Sequence, residues 1–146
     1  MREGLIVDDC IFCAIVSGTV PASIVYADDA VTAFMDSAPI NAGHLLVVPR
    51  RHVMALSGLD EETGARLFTV ATRLGRALRH SGVRCEGINL LLADGAAAFQ
   101  EVFHVHLHVV PRFIGDAFRI VADWTIHPNR EDLDPIAAQI RAVDQA

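Results

Sequence analysis

The feature that most constrains this chain is Phe103-His104-Val105-His106-Leu107-His108-Val109-Val110-Pro111, where histidine alternates with an aliphatic residue until a proline closes the run. Along an extended strand, successive side chains leave on opposite faces. His104, His106 and His108 therefore share one face, about 6.6–6.8 Å apart. Val105, Leu107 and Val109 occupy the other face and pack into a core. A helix cannot do this, because i, i+2 and i+4 do not line up on it. A row of imidazoles on a rigid strand suits the binding of phosphate, protons or a metal. The plain alternative is a surface strand with chance histidines, at positions where better strand formers would serve.

Charge narrows the phosphate chemistry. The twelve basic residues are all arginine, and the formal net charge is −6. A P-loop has no candidate lysine, and a nucleic-acid surface lacks its basic field. A phosphate site must then rely on imidazole, arginine, backbone N–H or a metal. A length of 146 residues with 52% apolar and 21% charged side chains reads as one soluble globular domain spanning 1–146. No apolar run approaches the roughly 18 residues that cross a bilayer, so no membrane partner is expected. The acidic N-terminal stretch Met1–Asp9 is too short in its apolar part for a signal peptide, and the expected location is cytoplasmic. Three cysteines form no disulfide framework, which fits a reducing compartment.

Strands are expected at Ile24–Tyr26, Val31–Asp36, His44–Pro49, Gly87–Ala93 and from about Glu101 to Pro111, each bounded by turn residues. A short helix follows Cys10-Ile11-Phe12-Cys13. Asp60 to about Arg79 carries the strongest helix signal. Leu67, Val70, Ala71, Leu74, Ala77 and Leu78 make one buried stripe, Asp60 suits the N-cap, and arginines lie near the end. A final helix is expected over Asp132–Val143, weakened by Pro135 unless that residue sits in its first turn. The fold class is α+β: a five-stranded, mostly antiparallel sheet, one long helix packed on it, and short N- and C-terminal helices.

The row His104-Val105-His106-Leu107-His108-Val109-Val110 resembles the signature of the histidine triad (HIT) nucleotide-binding superfamily. Gly43-His44-Leu45-Leu46-Val47-Val48-Pro49-Arg50-Arg51-His52, Gly87-Ile88-Asn89, Gln100-Glu101-Val102-Phe103 and Pro111–Phe118 resemble its flanking blocks. The resemblance implies a homodimer that binds purine nucleotides and needs no organic cofactor. It also implies hydrolysis or nucleotidyl transfer at the α-phosphorus of nucleoside-phosphate-X substrates. His106 matches the family nucleophile, and His44, His104 and His108 match the histidines around it. Asp36 matches the ribose position, Phe12 and Phe34 the apolar positions near the base, and Asn89, Gln100 and Val102 the remaining nucleotide contacts. A neutral imidazole is a competent nucleophile toward phosphorus near pH 7, and amides around Gln100–Val102 could stabilise the developing charge. Ala93 and Glu101 depart from the family pattern, standing where many members carry hydrogen-bond donors. Gln100 matches, and is expected to carry the donor role.

Cys10 and Cys13 have a spacing that lets two thiolates reach one tetrahedral ion, although two small buried residues would look the same. Resemblance to zinc-binding bacterial HIT proteins adds His52 and His104, implying a closed structural zinc site that withdraws His104 from proton transfer. Cys85 reads as a small core residue, His80 as a helix-end histidine, His127 as a loop residue, and Trp124 as core or dimer packing. Arg112 could reach phosphate or form a salt bridge. Two other functions remain open: a nucleotide-sensing module with negligible turnover, and a metallohydrolase in which His104 and His106 bind one ion.

Overall fold

Short polar turns between apolar runs force consecutive strands to lie side by side. The computed structural model describes residues 9–144, so Met1–Asp8 lies outside the described residues. In chain order the elements are α1 (Ile11–Val16), β1 (Ile24–Ala27), β2 (Val31–Met35), β3 (Leu45–Pro49), α2 (Glu61–His80), β4 (Gly87–Leu92), β5 (Leu107–Arg112) and α3 (Arg130–Asp144). The five strands form one sheet in the order β1-β2-β3-β5-β4, with every neighbouring pair antiparallel.

β3 is buried along its whole length because both faces are covered. Leu45 and Val47 join the α2-side core with Leu67, Val70, Ala71, Leu74 and Leu78. Leu46 and Val48 pack on the opposite face with Phe12 of α1 and Phe34. α2 starts where Asp60 accepts a hydrogen bond from the Thr63 N–H at 2.8 Å. Its buried stripe departs from expectation at one flank: Ala77 is exposed and Gly75 is buried. A Cβ on Gly75 would come within 3.0 Å of Ile88, so β4 approaches the helix where no side chain intervenes.

Two further expectations shift. α3 begins at Arg130, because Asn129 and Asp132 cap it reciprocally: the Asp132 N–H donates to Asn129 Oδ1 and the Asn129 N–H to Asp132 Oδ2. Pro135 consequently lies inside the helix, beyond its first turn. More important for the site, the histidine strand does not begin near Glu101; regular β5 starts at Leu107. Upstream, the Val105 N–H leaves the ladder and donates to Val53 O at 2.7 Å. The alternation of faces survives this. Val105, Leu107 and Val109 lie in the α2-side core, while the imidazoles of His104 and His106 contact Phe12 on the opposite face.

The chain divides into two compact units, one through Asp116 and one from Ala117 onward. The sheet, α2 and every residue assigned above to the active site or the zinc site lie in the first. The second contains α3, an amphipathic helix. No described helix is long and apolar enough to cross a membrane. Leu67 is 2% exposed at the centre of the α2 contact. Leu67→Ala is expected to lower unfolding free energy by about 2–5 kcal/mol, read as a shifted denaturation midpoint with an unchanged slope.

Candidate active site

Backbone groups with a single hydrogen-bonding role fix where each imidazole carries its proton. His106 Nδ1 lies 2.7 Å from the carbonyl oxygen of His104. A carbonyl only accepts, so Nδ1 carries the proton and the lone pair of neutral His106 sits on Nε2. His44 is set the other way: the Ile40 N–H donates to its Nδ1 at 3.0 Å, placing the proton on Nε2. That Nε2–H donates to His108 Nδ1 at 2.9 Å, which leaves the His108 proton on Nε2. The Asp36 carboxylate stands 3.5 Å from His44 Nε2. Burial lowers the pKa of His44 against the opposing pull of Asp36. His108 is lowered to about 4, first by burial and then by His106 and His44, with Asp36 again opposing. With His106 in its neutral form, the site pairs a nitrogen lone pair on that ring with an N–H donor on His108. Their rings lean together, with centroids 4.8 Å apart, closer than an ideal strand would place them.

Local sequence explains this arrangement. His108 pairs with Leu46 across β5 and β3, while His44 sits just before β3. Gly43 precedes it at φ +95°, where a Cβ would strike Val83 Cγ1 at 2.8 Å. The opposite wall is aromatic. The buried Phe12 ring meets His106 edge-on at 5.1 Å and Phe34 at 5.4 Å, and Val102 packs against the same cluster.

His104 faces elsewhere. Its Nε2–H donates to the Pro49 carbonyl at 2.8 Å, which leaves the Nδ1 lone pair 3.4 Å from Cys10 Sγ and 3.5 Å from Cys13 Sγ. His52 Nδ1 is 3.3 Å from Cys13 Sγ. Zinc bonds of about 2.3 Å to sulfur and about 2.0–2.1 Å to nitrogen place those atoms roughly 3.5 Å apart across a tetrahedral angle. The spacing fits a Cys₂His₂ ion, and the bond to Pro49 is the outer support that metal-binding histidines usually have. Burial, then the hydrogen bond and charge of Cys10, push the Cys13 thiol up to about 11, so cation binding would release a proton here. Asp36, His44 and His108 also gather their ligand atoms within 4.8 Å. There the second His44 nitrogen accepts instead of donating, which suits a proton chain and not a metal ligand. Among the described residues no metal-ligand group contains both His104 and His106, the pair that the metallohydrolase reading requires.

Several expected nucleotide contacts are engaged otherwise. Gln100 is buried; its Nε2 donates to the carbonyls of Met54 and Val102, and its Oε1 accepts from the Gly95 N–H. Both amide hydrogens are thus committed to bracing the loop, contrary to the expected donation to phosphate. Asn89 Oδ1 accepts from Arg112. Asp36 Oδ1 accepts from the Ala38 N–H at 2.8 Å, capping the turn, while Oδ2 faces His44. Ala93 is half-buried and Glu101 is exposed. Cys85 packs on the α2-side core. Arg112 takes the salt-bridge alternative, gripping Asp116 through Nε and Nη2 at 2.6 and 2.8 Å.

Sequence reading missed two residues. Asn41 donates to Pro111 O and to Asp116 Oδ2, tying the loop that carries His44 to the end of β5. Asp116 is buried, and Arg112 holds its carboxyl well below the usual range. The i, i+4 spacing of Arg112 and Asp116 offered a signal for that pair; nothing local marked Asn41.

Residues 17–115 match the HIT domain family. The Protein hit of Bacillus subtilis is 36% identical over 137 residues, covering 91% of this chain and 92% of its own. A crystal structure of a HIT family protein from Bacillus anthracis superposes with a TM-score of 0.86 at 36% identity, covering 93% of this chain and 97% of that one. A Zn-bound histidine triad family protein from Mycobacterium smegmatis is 41% identical with a TM-score of 0.74, covering 93% and 98% of the two chains. With the alternating histidines, the all-antiparallel sheet and these matches in agreement, the chain belongs to the HIT family.

Proposed function

We propose that this chain is a purine nucleotide hydrolase or nucleotidyl transferase that attacks the α-phosphorus of nucleoside-phosphate-X substrates through His106. The observation that carries this reading is the opposed proton placement: Nδ1–H of His106 tied to the His104 carbonyl, and Nε2–H on a neutral His108 beside it. His106 Nε2 would form a bond to phosphorus as the P–X bond breaks. The His108 Nε2–H would pass its proton to the leaving group X. Water would then attack the nucleotidyl-histidine, returning a proton to His108 and breaking the P–N bond. Asp36 would hold the ribose hydroxyls, and the Phe12–Phe34 wall would meet the base. Phosphoramidates, mixed anhydrides and dinucleoside polyphosphates are the candidate substrates.

A nucleotide-sensing module is the second reading. It is favoured by the commitment of the Gln100 amide to carbonyls and by the apolar Ala93, which remove two donors from the leaving-group side. Turnover across a substrate panel separates it from the first. A structural zinc in the Cys10–Cys13–His52–His104 cluster is supported by the ligand spacing and by the Zn-bound relative. A homodimer is supported by β4, which stands at the edge of the sheet with a partner strand on one side only among the described residues.

His106→Asn is expected to keep nucleoside monophosphate affinity within a few-fold while lowering turnover by about three orders of magnitude or more. Unimpaired turnover in that variant rejects the nucleophile assignment. His108 also links stability to acidity. Its folded pKa of about 4 lies below the unfolded value of 6.5, so stability is full above pH 6.5 and falls as pH drops toward 4, where only the unfolded chain takes up the proton. Thermal unfolding across that window checks the sign, and His108→Gln should flatten the slope. Light scattering on the purified chain is expected to return twice the chain mass; a single-chain mass rejects the dimer.

A further inference from the structure

We propose that the Cys10–Cys13–His52–His104 cluster, when it holds a divalent cation, sets the proton position and orientation of His106, so that cation occupancy gates the nucleophile. The inference rests on the reading of His106 given above.

The bond that defines His106 ends on the backbone oxygen of His104, and His104 lies upstream of Leu107, where the regular strand begins. A carbonyl inside a β-ladder is aimed by its neighbouring strands. This one lies outside the ladder, and its direction depends on what anchors the residue. Its own N–H donates to Val102 O at 2.9 Å, and the other anchors are the two nitrogens of its side chain. Nδ1 lies 3.4 and 3.5 Å from the two thiols, and Nε2 donates to Pro49 O at 2.8 Å. The next residue is tied to the same place, since the Val105 N–H donates to Val53 O, adjacent to the fourth ligand, His52.

A second contact converges on the same cluster. α1 has six residues, too few to persist as a helix without tertiary support. Cys10 caps it and Cys13 lies within it, so a cation on both thiols would fasten it to the sheet. Between these cysteines stands Phe12, whose ring edge lies 5.1 Å from His106 and 5.9 Å from His104. The hydrogen bond that sets the His106 tautomer and the aromatic wall that limits its ring therefore share one anchorage. With the cluster closed, His106 holds Nδ1–H and presents Nε2. With it open, the His104 peptide keeps its bonds to Pro49 and Val102 but loses the tie through the thiols, as α1 does, and the Nε2–H tautomer of His106 gains population.

The test uses the full chain labelled with ¹⁵N-histidine, loaded with zinc and after removal of zinc by a chelator. The readouts are bound zinc, the long-range ¹H–¹⁵N spectrum of His106, calorimetric affinity for adenosine 5′-monophosphate, and turnover. The expected result is one zinc per chain with a single Nδ1–H tautomer. The zinc-free chain, still folded by circular dichroism, should show mixed tautomers and turnover lower by about tenfold or more. An unchanged His106 spectrum and unchanged affinity after zinc removal overturn the coupling. Should zinc removal unfold the chain, exchange of zinc for the larger cadmium ion keeps the site filled. Changed His106 nitrogen shifts then support the coupling, and identical shifts overturn it. The spectrum and the affinity need no catalysis. A zinc-sensitive tautomer without turnover on any substrate would reject the hydrolase and keep the coupling. Turnover with a zinc-indifferent tautomer would do the reverse.

Discussion

One hydrogen bond, from His106 Nδ1–H to the carbonyl of His104, organises the candidate site. It turns an imidazole with two equivalent options into one with a proton at a known nitrogen and a lone pair at the other. The surrounding structure keeps that bond in place. The α2-side core holds Val105, Leu107 and Val109 beneath the histidines, and the Phe12–Phe34–Leu46–Val48 cluster closes the far side of the sheet. Burial from both sides also disfavours charge on His44, His104 and His108. The low-dielectric setting that stabilises the fold is thus the same one that keeps these rings neutral donors and acceptors.

The three histidines of the row do different work because their outer partners differ. His104 donates to Pro49 and turns a lone pair toward two thiols. His106 donates to a carbonyl and turns its lone pair the opposite way along the ring. His108 accepts from His44, which itself accepts from a backbone N–H. Similar side chains are thereby separated into one Cys/His cluster that could hold a metal ion and one chain of imidazole hydrogen bonds. The discriminating fact is the direction of each second hydrogen bond.

Much of the fold was legible because its signals are local. The apolar run His44–Pro49 reads as a strand, and β3 forms over Leu45–Pro49, buried along its length. Asp60, the acidic first turn and the Leu67–Leu78 stripe mark α2 almost to the residue. Errors arose where a distant partner decided the outcome. Gly75 replaces Ala77 in the buried face because Ile88 approaches that flank. The histidine strand starts late because Val105 finds Val53. Gln100 matched the family position, yet its amide is occupied by carbonyls 46 and 2 residues away in sequence.

The sequence by itself determined that three imidazoles share one face, because strand pleating has a period of two residues whatever the chain packs against. It also supplied two thiols at a spacing that one ion can bridge, and a lysine-free set of basic side chains that leaves phosphate binding to imidazole, arginine, backbone N–H or a metal. Tertiary structure alone decided which nitrogen of each ring holds a proton, since that follows from partners such as Pro49, Ile40 and the His104 carbonyl. It also brought Asn41 to Asp116, across 75 positions, to steady the loop of His44. Periodicity propagates along a chain and can be read from it; the polarity of a hydrogen bond depends on a group that folding brings from elsewhere.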